Sequence, residues 1–92
     1  MAVEKIHSRL GAEMSLAARA GQGERVFPVI VQHLPGGSTA IFSQLKELGA
    51  VGEPLPLVDA FQADLTSAQI RGLAARADVT IILLNRPEHV TT

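Results

Sequence analysis

Apolar residues recur at Val3, Ile6, Leu10, Met14 and Ala17, steps of three or four that line one stripe of an amphipathic helix. The spacing predicts a leading helix that stops near Gly21 or Gly23, with Gly11 weakening it by about 1 kcal/mol relative to Ala. The period then changes. Val26 to Leu34 (VFPVIVQHL) is rich in β-branched residues and ends at Pro35-Gly36-Gly37, so it reads as a strand closed by a turn. Pro28 has no N–H for a ladder, which predicts either that pairing begins at Val29 or that Pro28 marks a bulge. Ser38 or Thr39 is placed to cap a helix buried along Ile41, Phe42, Leu45 and Leu48, with Gln44, Lys46 and Glu47 facing water and Gly49 just past its end.

In Glu53-Pro54-Leu55-Pro56-Leu57-Val58 the two prolines stand two apart, so their missing donors face one side; an edge strand with Leu55 and Leu57 bonding inward satisfies this. A tight turn near Asp59 leads to a second strand of the hairpin. There Phe61, Ala63 and Leu65 face the helices, and Ala60, Gln62 and Asp64 face outward. Thr66-Ser67-Ala68-Gln69 has the spacing of a capping box, and Leu65 and Ile70 that of a hydrophobic staple, so a helix begins here. Its buried stripe is expected to be Ile70, Leu73, Ala74 and Ala77, with Arg71 and Arg76 outward. Val79 to Leu84 is the last strand, ended by Asn85-Arg86-Pro87 and followed by a polar tail, Glu88 to Thr92.

Short right-handed connections turn this order into an α+β fold of ferredoxin-like βαββαβ type. The expected sheet has four antiparallel strands in the order 4-1-3-2, two helices on one face, and an additional N-terminal helix. The expected division is residues 1–25 as helix and linker and residues 26–92 as the domain with its tail. The last strand is apolar at both alternations, Val79, Ile81 and Leu83 as well as Ile82 and Leu84, and the first strand repeats this with Val29, Ile30 and Val31. Two helices cover one face only. The other needs the leading helix, a second copy or a partner protein, and a binding face is the reading favoured.

Composition narrows the chemistry. The 92 residues with 47% hydrophobic side chains suit one domain with one core. The three aromatics are all Phe and the net charge is −1, so stacking platforms and a basic footprint are missing and nucleic acid is not an expected partner. There is no Cys, which removes disulfides, thiolate metal sites and Cys nucleophiles. His7, His33 and His89 fall in three separate segments without further ligands at metal spacing, so no metal and no cofactor are expected. No Gly-x-Ser-x-Gly turn occurs and no catalytic residue can be named. Gly21-Gln22-Gly23 precedes a strand and reads as a linker; Pro35-Gly36-Gly37 precedes a helix, but without a nearby cation it reads as a turn, not an anion site. The N-terminus lacks an uninterrupted apolar signal region, and the longest apolar run is too short to span a bilayer, so no membrane association is expected.

The run Leu57-Val58-Asp59-Ala60-Phe61-Gln62-Ala63-Asp64-Leu65, the capped helix from Thr66-Ser67-Ala68-Gln69, and Ala77-Asp78-Val79 entering the last strand resemble the propeptides of subtilisin-type serine proteases and the standalone peptidase inhibitors of the same fold. Val29-Ile30-Val31-Gln32 is similar to their first strand, and the resemblance covers about two thirds of the chain, Val26 to Pro87. It implies a non-catalytic domain that inhibits a subtilisin-like protease and assists its folding. The open sheet face would dock on the protease and the tail Glu88, His89, Val90, Thr91 and Thr92 would lie in the substrate cleft. Sheet-face or cap contacts would come from Ala60, Gln62, Asp64 and Asn85. Two positions depart from the family: Leu83 and Asn85 stand where it often has acids that meet helix N-termini of the protease. Asn85 can still accept a hydrogen bond, whereas Leu83 cannot. The alternative is a regulatory or structural module that pairs its sheet with a second copy. The chain is expected to be cytoplasmic if complete, and secreted with its protease if it is an excised propeptide.

Overall fold

The computed structural model describes residues 5–55 and 57–85, with Ser38 by its backbone only. The elements run α1 (Ser8–Arg19), β1 (Val26–His33), α2 (Ser38–Glu47), β2 (Gly52–Pro54), β3 (Ala60–Thr66), α3 (Ser67–Ala74) and β4 (Val79–Leu84). The strands form one antiparallel sheet in the order β2-β3-β1-β4, which is the 4-1-3-2 arrangement read from the other edge. The fold is therefore α+β, a ferredoxin-like βαββαβ unit with α1 added in front.

Alternation along the strands sets which side becomes the core. Phe27, Val29 and Val31 of β1, Phe61, Ala63 and Leu65 of β3, and Val79 and Ile82 of β4 are buried on one face. Leu10, Met14 and Ala17 of α1, Ile41 and Leu45 of α2, and Ile70 and Leu73 of α3 join the same cluster. All three helices thus cover one face, and the expected boundary near residue 25 falls within a single core. Val3, at the head of the predicted stripe, lies outside the described residues. Ile6 lies in a short parallel bridge to Ile82, where His7 N–H donates to the Ile82 carbonyl (2.9 Å) and Ile82 N–H to that of Lys5 (2.7 Å).

Pro28 is in register, opposite Asp64, and is not a bulge. Its carbonyl accepts Asn85 N–H (2.8 Å), so its nitrogen faces the same way, past the end of β4. The missing donor costs only half of the last rung; pairing with β4 begins at Val29, but β1 already pairs with β3 from Val26, so the strand does not wait for Val29 as expected. The irregularity lies elsewhere: Gln32 pairs with Ile81 but His33 with Val79, leaving Thr80 as an extra residue whose hydroxyl donates to the Gln32 carbonyl (3.0 Å). This bulge changes the phase of β4, turning Val79 into the core with Ile82 and Leu84.

Helix ends follow the sequence at the start of α3 and at the end of α2. The α3 capping box is complete: Gln69 N–H donates to Thr66 Oγ1 (3.3 Å) and Thr66 N–H to Gln69 Oε1 (2.8 Å). Leu65 and Ile70, the staple pair, are both fully buried. At the end of α2, Gly49 takes φ +79°, Ala50 N–H donates to the Leu45 carbonyl (2.9 Å) and Gly49 N–H to that of Lys46 (3.1 Å), a Schellman ending. The start of α2 corrects the expectation, because its N-cap is Gly37 with no side-chain cap bond, not Ser38 or Thr39. Asp78 stands close by instead: a Cβ on Gly37 would lie 3.3 Å from Asp78 Cβ. An acidic side chain from the α3–β4 loop therefore lies against that helix start.

Three further expectations are corrected. Ala77 is exposed because α3 ends at Ala74, so it is not part of the stripe. Arg76 does not face out: Nε and Nη2 donate to the Asp78 carboxylate (2.8 and 2.9 Å) and Nη1 to Gln44 Oε1 (2.6 Å), which also draws Gln44 away from water. The edge strand is shorter than predicted. Leu55 N–H donates inward to Ala60 (3.0 Å), but Leu57 turns outward at φ 71°, and Pro56 lies outside the described residues.

Candidate docking face

The face of the sheet opposite the helices carries Pro28, Ile30 and Gln32 of β1, Ala60, Gln62 and Asp64 of β3, Glu53 of β2, and Ile81 and Leu83 of β4. Ile30 and Leu83 are register partners, and with Ile81 they are half-buried although none belongs to the core cluster. Residues 8–19, the segment best suited to cover them, pack on the other side. The bulge also trims this apolar strip, since Val79 would have joined Ile81 and Leu83 without it.

The expected face residues are brought together. Ala60, Gln62 and Asp64 all point away from the core, and Asn85 Nδ2 donates to Gln62 Oε1 (3.1 Å). Gln62 Nε2 donates in turn to Glu53 Oε1 (2.8 Å), so a polar row crosses from the end of β4 to the β2 edge. In the row the Asn85 side chain is a donor through its nitrogen, and its carbonyl oxygen remains an acceptor by its chemistry. Glu53 has no place in the sequence reading; the signal for it lay in the hairpin register, which sets it opposite Gln62 once the turn length is known.

Two hollows lie on this side. One, of about 270 Å³, is lined by Val51, Gly52, Glu53, Gln62, Ala63, Asp64 and Asn85, with polar atoms dominant. The other, about 400 Å³, is mainly apolar; Ile30, Leu55, Val58, Ala60 and Leu83 form much of its wall. The face thus sets an aliphatic strip beside the polar row, with Gln32, Asp59 and Thr80 also bordering the apolar hollow. The tail residues Glu88, His89, Val90, Thr91 and Thr92 lie outside the described residues.

His7 caps α1, its Nδ1 accepting Arg9 N–H (3.2 Å). His33 is buried beside Phe61, ring centroids 6.2 Å apart, with Nδ1 held on the Leu34 carbonyl (2.9 Å). Among the described residues no group of three or more His, Asp or Glu is placed to hold a metal ion, and no helix is long and apolar enough to cross a membrane. Among the described residues the displaced ionisations are those of the Arg76–Asp78 pair: the guanidinium hydrogen bonds hold the Asp78 carboxyl below its ordinary range, and the carboxylate raises Arg76. Through Gln44 that pair joins α2 to the α3–β4 loop. No family model, curated protein or solved structure matches this chain.

Proposed function

We propose that this protein is a non-catalytic, propeptide-like module that binds and inhibits a subtilisin-like serine protease, and that it can assist the folding of that protease. The observation that carries the reading is the open sheet face, left by all three helices and bearing a half-buried aliphatic strip beside the Asn85–Gln62–Glu53 row. A surface of this kind loses water favourably against a protein partner. The ordered motifs from Val26 to Pro87 supply the class of partner. In this reading the sheet rests on the protease surface, Ala60, Gln62, Asp64 and Asn85 belong to the contact, and Glu88 to Thr92 enter the cleft as an extended, product-like strand. The module would share the compartment of its protease.

The test is a titration of the chain into a subtilisin-type protease while peptide hydrolysis is followed, repeated with His89 to Thr92 removed. Slower hydrolysis with the full chain and weaker inhibition with the shortened one are expected. If neither version slows the enzyme, the reading fails. A stable dimer by light scattering, indifferent to proteases, would replace it with a homodimeric regulatory module whose sheets cover each other.

A further inference from the structure

Leu57 is the one non-glycine residue among those described whose backbone is left-handed, φ 71°, and its side chain is fully exposed. Such a backbone costs an ordinary L-residue about 1 kcal/mol, which is why Gly and Asn usually fill these turn positions. A solvated leucine returns nothing to the fold. Val58 is exposed as well, and so is Val51, which leads into β2. The base of the loop is nonetheless firmly tied: Leu55 N–H donates to the Ala60 carbonyl (3.0 Å) and His33 N–H to that of Asp59 (2.9 Å). The structure thus holds an aliphatic side chain out into water on a left-handed backbone whose flanking residues are tied down.

We propose that Leu57 and Val58 form an anchor that enters an apolar hollow on the surface of the protease, outside its catalytic cleft. The inference rests on the open face being the protease-binding surface, and one residue links the two. Val58 belongs to the exposed tip and also to the wall of the apolar pocket with Ile30 and Leu83. A partner lying on the aliphatic strip of the sheet meets the tip in the same encounter. Aliphatic groups presented on a preorganised loop lose little freedom on binding, the condition under which a small contact carries much of the affinity.

The experiment uses Leu57→Gly and Leu57→Asn in the full chain, since both residues adopt the left-handed backbone. Binding is measured to a subtilisin-type protease, once free and once blocked at its catalytic serine by a small covalent reagent. Thermal midpoints at or above wild type are expected, together with binding weakened about ten- to a hundredfold by the same factor for free and blocked enzyme. Two results overturn the anchor while leaving the docking reading in place: variants that bind as tightly as wild type, or variants that melt earlier, which would make Leu57 a packing residue. Failure of the wild-type chain to bind the protease removes the docking reading and the anchor with it.

Discussion

Gly52 lies flat against Phe61: a Cβ built on the glycine would stand 2.9 Å from Phe61 Cδ1, and 2.8 Å from both Phe42 Cε1 and Leu45 Cδ1. The rings of Phe42 and Phe61 are 5.1 Å apart, so the short edge strand closes over an aromatic pair and one end of α2. Gly52→Ala should therefore lower stability by about 1–3 kcal/mol, the cost of overpacking, in urea unfolding. An unchanged midpoint would mean that the edge strand does not press on this pair.

Ile81 and Ile82 are adjacent in sequence and opposite in environment. Ile82→Ala removes a fully buried core side chain and should cost about 2–5 kcal/mol. Ile81→Ala, on the open face, should cost about 1 kcal/mol or less. Equal losses would contradict the phase that the Thr80 bulge imposes on β4.

Gly49 ends α2 with φ +79° and nothing crowds the place where its Cβ would be. Gly49→Ala therefore isolates backbone strain from packing, and a loss of about 1 kcal/mol is expected in thermal or urea unfolding.

Leu83→Lys places a charge on the aliphatic strip without entering the core cluster. Folding should survive, with a midpoint close to wild type, while inhibition of a subtilisin-type protease falls by more than about tenfold. Retained inhibition would remove Leu83 from the contact.

Acid should weaken the fold partly through Asp78. Its carboxyl is held below the ordinary range by the Arg76 hydrogen bonds, so the folded state binds its proton less readily than the unfolded chain. The stabilisation is complete above the ordinary carboxylate value, about pH 4, and disappears as pH falls through the lower folded-state value. Asp78→Asn should lose less stability than wild type between about pH 5 and pH 2. Identical acid profiles would show that the pair contributes nothing.

Local chemistry explains which parts of this fold could be read from sequence. Thr66 and Gln69, three apart, specify both halves of a capping box, and the alternation of Phe61, Ala63 and Leu65 sets the inner face of β3; both signals lie within a few residues. What escaped depends on relations across the chain. The phase of β4 turns on one extra residue opposite Gln32, which an apolar run such as Val79 to Leu84 cannot reveal. Strand periodicity gives Leu57 an inward bond, but the hairpin opens after Leu55 and the periodicity ends with it. Helical periodicity turns Arg76 outward, whereas α3 ends before it and the side chain reaches Gln44, distant in sequence. On the open face alternation places Ala60, Gln62 and Asp64, Asn85 comes from the family resemblance alone, and Glu53 is given by neither.

The bridge from Lys5 to His7 along β4 has a consequence for how another chain can approach. Ile82 has both of its lateral backbone groups occupied by that segment, and at the far border β2 is only three residues long and finishes in a proline that has no hydrogen to offer. Neither margin is a good template for adding a strand, so the sheet resists the sideways stacking that leads to fibrils and favours visitors that come down flat upon it.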